Sequence, residues 1–263
     1  MISLAARTMR FIKRQLLGPS IRVAPRSDLI RLGSAYGGWT LVDTQDLQGT
    51  LLLSLGLGED ASFDIEFASR FSAGVVICDP TPRAVEHFDQ IQTHLGQGPS
   101  RGYVDGGKQP VDSYDLSRVT ADQINLVARA VADRSGSIRF YAPSDPEHVS
   151  HSIINFQNSY SSTTPHIEVE AIAAAELLEL VADESVSVVK MDIEGAETLV
   201  LPQLLDTGFH PQQILVEFDE LNFPSRRATA TFQRMHGLLL ESGYEVTYWD
   251  HRSCVSYMHK RST

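Results

Sequence analysis

The sequence is poor in cysteine, poor in basic charge beyond its first residues, and free of long apolar runs. Its 263 residues include two cysteines, Cys78 and Cys254. That is too few for a disulfide framework or a four-cysteine zinc site, so a reducing, cytoplasmic setting is expected. No stretch approaches the roughly 20 consecutive apolar residues of a bilayer-spanning helix, which predicts a soluble chain. No repeat or linker divides it, and a single domain is expected. Acidic residues are missing before Asp28, whereas Arg7, Arg10, Lys13, Arg14, Arg22 and Arg26 precede it. The other 236 residues therefore carry 16 basic against 33 acidic groups, within a total net charge of −11. So acidic a body is a poor general binder of nucleic acid, whose phosphates demand a basic face.

What is present alternates between apolar runs and helical spacing. Residues 1–18, MISLAARTMRFIKRQLLG, place apolar side chains at helical intervals with arginines between them. We read them as a cap helix packed on the domain, with a membrane-surface or partner-binding helix as the alternative use of residues 1–20. TLLLSL (50–55) predicts a strand running into Gly56 and a helix over 63–71; GVVIC (74–78) predicts a strand ending at Asp79 before a helix over 82–95. A strand–helix–strand step of this length implies parallel strands in one sheet. Five glycines and two prolines between Gly96 and Asp115 predict a surface loop with no core role. Strands are expected over 125–132, 137–141, 187–191 and 213–218, and helices over 173–181, 197–205 and 229–241. Residues 142–166 are polar and aperiodic, which suits a functional loop. The closing strands, 244–249 and 254–259, are joined by four residues and so must be antiparallel.

Two stretches carry the chemistry. In SLGLGEDASFD (54–64), Gly56 and Gly58 stand where a strand turns into a helix, letting backbone approach a ligand closely. Asp79, ending the next strand, is placed to accept hydrogen bonds from ribose hydroxyls, a pairing shared by nicotinamide and S-adenosylmethionine enzymes. Glu59 and Asp60, read as the first turn of that helix, would repel a pyrophosphate and so favour S-adenosylmethionine. In VVKMDIEGAE (188–197), Asp192, Glu194 and Glu197 follow the end of a buried strand, where open α/β sheets hold ligands. Glu197 also suits the start of the next helix. LVEFDE (215–220) adds Glu217 inside an apolar strand, where a carboxylate needs a partner, and Asp219 at its end.

GTLLLSLGLGEDASFDIEFA, VVICDPTP, RFYAPSDPEHVSHSIINFQ, VVKMDIEGAE and ILVEFDE together resemble the FkbM-type S-adenosylmethionine-dependent methyltransferases over roughly residues 49–259. The resemblance implies an α/β fold: the class I methyltransferase (Rossmann-like) sheet, seven strands mostly parallel with an antiparallel C-terminal hairpin. It divides the chain into an N-terminal helical cap, 1–48, and a methyltransferase domain, 49–263. It implies Gly56, Gly58 and Asp79 as cofactor contacts, with Glu59 a further candidate and Asp133 either near the adenine or a plain turn acid before Ser135 and Gly136. The sequence departs from the class at Ser54 and Asp60, where an acid and a third glycine commonly stand, so contacts to the methionine end must differ.

The expected reaction is methyl transfer to an acceptor oxygen of a small molecule, natural product or glycan. Asp192, Glu217 and His151 are the candidate bases. His148 and His151 lie in the polar loop, and a bare pair at their spacing makes a poor zinc site. Phe156, Tyr160 and Trp249 read as packing residues before they read as an aromatic face for an acceptor. A divalent ion, such as magnesium held by Asp192 and Glu217, is the alternative to direct proton removal, which is preferred. A nicotinamide oxidoreductase and a non-catalytic protein that keeps the pocket are the competing functions.

Overall fold

The computed structural model describes residues 16–141 and 165–260. Two four-residue strands open it, β1 (Leu29–Leu32) and β2 (Trp39–Val42), paired antiparallel. Then β3 (Leu51–Leu55) runs into Gly56 and α1 (Ser62–Phe71), and β4 (Gly74–Cys78) runs into Asp79 and α2 (Pro82–Thr93). Proline at the start of α2 suits a position whose N–H has no helical partner. Four strands follow: β5 (Ile124–Val127), β6 (Ala130–Ala132), β7 (Gly136–Tyr141) and β8 (His166–Ala173). The rest of the chain is α3 (Ala174–Leu180), β9 (Val186–Met191), α4 (Glu197–Asp206), β10 (Gln213–Glu217), α5 (Arg226–Glu241), β11 (Tyr244–Trp249) and β12 (Cys254–His259).

Seven strands form one sheet in the order β11-β12-β10-β9-β3-β4-β5. All neighbours from β10 to β5 are parallel, and β12 is antiparallel to both β10 and β11. LLLSL and VSVVKM are buried almost throughout, as strands covered on both faces must be. Alternation sends Leu52, Val75 and Val188 into one core with Phe63, Phe67 and Phe71 of α1, and Leu53, Val189 and Val216 into another with Leu201, Phe232 and Leu239. The order reverses at β3, which has β4 on one side and β9 on the other. Ligands of open sheets bind outside the carboxyl ends at such a reversal. No described helix is long and apolar enough to cross a membrane.

Four expectations need correction. Residues 18–48 contain no α-helix: the hairpin β1–β2 and one 3-10 turn stand there, because LIRL and WTLV supply two short apolar strands. The hairpin is tied to the sheet by the Gln213 amide, which bonds both the N–H and the carbonyl of Val42. The glycine-rich loop after α2 does have a core role, since Val111, Tyr114 and Leu116 are buried in it. The strand expected over 125–132 breaks after Val127, so that β6 joins a separate sheet, β6-β8-β7. Finally, IEVEA, between the expected loop and the expected helix, alternates through β8.

Candidate active site

The two glycines of the first turn have different jobs. Gly56 has φ +91°, and a β-carbon there would lie 1.9 Å from the carbonyl oxygen of Asp192. Only glycine lets the end of β3 pass so close to the end of β9, where the Asp192 N–H donates to the Leu55 carbonyl at 2.9 Å. Gly58 has φ +57°, but a β-carbon there would meet nothing within 4 Å. Its side of the turn faces open space, as a backbone cradle for a ligand requires.

Asp79 anchors this cradle. One carboxylate oxygen accepts from the Leu57 and Gly58 N–H groups at 2.9 and 3.0 Å, and the other from the Thr81 N–H and hydroxyl. The acid expected to meet the cofactor thus also fixes the loop that would hold it.

Beneath the turn lies a buried group outside the motif residues named above. Lys190 of β9 donates to the Gly56 carbonyl at 2.5 Å and to the Ser54 hydroxyl at 3.2 Å. Its ammonium is 4.0 Å from Asp64, in the first turn of α1. Burial pushes the Asp64 carboxyl up, and the Lys190 charge opposes that. Ser54 stands where an acid was expected, and Asp64 brings a carboxylate to the same spot. The signal was a lysine inside an apolar strand, the same anomaly that singled out Glu217.

Glu59 and Asp60 do not form the first turn of the helix, which begins at Ser62. Glu59 is buried and paired with Lys108 at 2.5 Å and Arg83 at 3.7 Å. Asp60 accepts from the Ser62 N–H and from the Ser34 hydroxyl of the β1–β2 turn. With these charges engaged, their repulsion of a phosphate cannot choose the ligand. The contact through Ser34 also shows why the opening hairpin matters to the site: it steadies the glycine turn from outside.

Across the reversal, Asp192 and Glu217 each follow the paired residues Met191 and Val216 of β9 and β10. Neighbouring strands lie about 4.8 Å apart, so the two carboxylates stand side by side. Burial, then the charges of Glu217 and Glu194, push Asp192 well above the usual carboxylate range. Glu194 and Gly195 both have positive φ, at 54° and 95°, which turns the chain sharply into α4. Glu197 closes that turn by accepting from the Ile193 N–H at 2.8 Å, the helix-start role its position suggested. Glu217 accepts from Asn222 and Ser253 at 3.2 and 2.9 Å. Asp219 is buried and also raised, by burial first and then by Glu194.

The remaining expectations scatter. Asp133 lies just after β6, with its carbonyl accepting from Gln203 and its side chain 3.5 Å from Arg134. His148, His151, Phe156 and Tyr160 lie outside the described residues, as does most of the cap helix read over residues 1–18. Among the described residues, no three histidine, cysteine, aspartate or glutamate side chains are grouped to hold a metal ion.

The family described as the Methyltransferase FkbM domain matches residues 54–246, from the end of β3 into β11. The chain belongs to this family. That membership selects the S-adenosylmethionine-dependent methyltransferase over the nicotinamide oxidoreductase, and the sheet order agrees. No curated protein matches the chain. Among solved structures, it is similar to Aeropyrum pernix fibrillarin with natively bound S-adenosyl-L-methionine, with 11% identity over 83% of this chain and 70% of that one and a TM-score of 0.41. It is also similar to cofactor-bound Rv0187 from MTB, with 10% identity over 97% and 90% of the two chains and a TM-score of 0.42.

Proposed function

We propose that this FkbM-family protein moves a methyl group from S-adenosylmethionine to a hydroxyl oxygen of a small molecule, natural product or glycan. The observation that carries this reading is the pair Asp192 and Glu217, side by side at the carboxyl ends of adjacent parallel strands, across the reversal from the Gly56–Gly58 turn. When bound, S-adenosylmethionine supplies an electrophilic methyl carbon on a sulfonium. The open side of Gly58 and the carboxylate of Asp79 suit its binding: the first admits the ligand against backbone, and the second holds the turn and frees a lone pair for a ribose hydroxyl once the Thr81 hydroxyl turns away. Glu59, held by Lys108 and Arg83, borders the same turn.

With S-adenosylmethionine bound, Asp192 would take the proton from the acceptor's hydroxyl as the methyl group leaves the sulfonium for the oxygen. A carboxylate whose pKa is raised by burial and by a like-charged neighbour is a stronger base than an exposed one. His151 is an alternative base by its chemistry. No metal is required in this scheme.

Calorimetry with S-adenosylhomocysteine and NAD is the first test. Saturable binding of S-adenosylhomocysteine with none of NAD is expected, and the reverse pattern overturns the reading.

A further inference from the structure

Beyond Glu217 the character of the surface changes. A cavity of about 220 Å³ is lined by Leu221, Pro224, Thr229, Trp249, His251 and Arg252. Its titratable side chains among these are a histidine and an arginine, whereas the neighbouring strand ends carry only carboxylates. The indole Nε1 of Trp249 is buried and has no hydrogen-bond partner among the described residues. His251 has φ +63°, an uncommon conformation that puts its ring 4.6 Å from that of Trp249. Asp250, the acid of this turn, spends one carboxylate oxygen on the Arg252 and Cys254 N–H groups, which fixes the turn.

The cavity is coupled to the acid pair. Ser253, next to Arg252, donates to Glu217 at 2.9 Å, and Asn222, next to Leu221, donates to the same oxygen at 3.2 Å. We propose that this cavity receives the anionic end of the methyl acceptor, a carboxylate or phosphate, while the acceptor's hydroxyl lies toward Glu217 and Asp192. A guanidinium can grip such a group through two parallel bonds. Charge then orients the acceptor: its anion is repelled by the acids and attracted by Arg252, so only the hydroxyl end faces the base. This rests on the methyltransferase reading and deepens it.

The chain has two tryptophans, Trp39 in the core and Trp249 at the cavity, so a Trp39→Phe variant isolates the Trp249 emission. This variant, saturated with S-adenosylhomocysteine, is titrated with inorganic phosphate, D-glucuronate and neutral D-glucose at constant ionic strength. A saturable change with either anion and none with glucose is expected. Arg252→Ala should weaken the anion response at least tenfold, with Arg252→Lys between. A response to phosphate alone assigns a phosphorylated acceptor, and one to glucuronate alone a carboxylate. Equal responses to glucuronate and glucose, silence with both anions, or unchanged affinity in Arg252→Ala overturns the proposal. Should Trp39→Phe fail to fold, calorimetry of the same titrants with wild type and Arg252→Ala decides the question. Separate binding of S-adenosylhomocysteine distinguishes the failures: if it binds without an anion response, only this proposal falls, and if it does not bind, the methyltransferase reading falls too.

Discussion

The ammonium of Lys190 lies 2.5 Å from the carbonyl oxygen of Gly56, so the strand that ends in one half of the site holds up the turn that forms the other. Removing the ammonium also takes away the cation that faces the buried Asp64 carboxylate at 4.0 Å. Breaking a buried pair from one side typically costs about 3–5 kcal/mol. Lys190→Met should lower stability by that order in urea unfolding and weaken S-adenosylhomocysteine binding. Adding Asp64→Leu should restore most of the stability but not the binding. If the double variant is less stable than Lys190→Met, the pairing is misjudged.

Gly56→Ala and Gly58→Ala should part company. At Gly56 the added carbon collides with the Asp192 carbonyl, so the variant should be severely destabilised. At Gly58 the carbon has room, and the positive φ costs only about 1–2 kcal/mol. Gly58→Ala should therefore fold while losing S-adenosylhomocysteine affinity, because the methyl occupies space meant for the ligand. Thermal melts beside calorimetry read both effects, and an undiminished affinity in Gly58→Ala removes the cradle.

Asp79→Ala deletes the acceptor of two turn N–H groups and of Thr81. An expected loss of about 2–3 kcal/mol corresponds to 30–150-fold weaker S-adenosylhomocysteine binding. Unchanged affinity in a folded Asp79→Ala protein contradicts the cofactor assignment.

Asp192→Asn keeps the shape of the base and removes its proton affinity. Turnover should fall about 100-fold or more, with cofactor affinity nearly intact. Wild-type activity should survive excess EDTA. Activity that vanishes with EDTA and returns with magnesium instead makes Asp192 and Glu217 metal ligands.

Glu220 supplies a pH test. Both of its carboxylate oxygens are buried without a partner among the described residues, and burial pushes its pKa from 4.5 up to about 6. The folded state holds this proton more tightly than the unfolded one. Its contribution is therefore fully present below pH 4.5 and is lost as pH rises through 6. Glu220→Gln should match wild type near pH 4.5 and gain on it up to pH 8, by about 2 kcal/mol. A stability difference that does not change across this range rules the titration out.

The parts of this molecule that could be read beforehand are those where one residue type settles one local question. Apolar runs ending in Gly56 and Asp79 placed two strands and their turns, and a four-residue connection required the closing hairpin to be antiparallel. Asp192 stood out because an acid at the end of a buried strand has no packing role. Tyr114 was hidden because its loop reads as glycine and proline. Its core position depends on a hydroxyl that accepts from the Ala61 N–H and pairs with His87, 27 residues away in sequence. Lys190 was hidden for a related reason: its partners, Gly56 and Asp64, lie more than 120 residues earlier, in the turn after β3 and in α1. Local composition carries strand and turn, whereas long-range polar pairing emerges only when the chain has closed.

The place of β12 inside the sheet governs how the protein can fold. Residues 254–259 lie between β10 and β11 and carry the whole contact between them. Within the sheet β11 has no other strand to pair with than β12. The edge of β10 stays open until β12 pairs with it, a hazard for an unpaired strand. Glu217 also waits for this step, since Ser253 and the register partner Cys254 arrive with β12. The hydrogen bonds that hold Glu217 are therefore complete only once the connection between β11 and β12 has taken its place in the sheet.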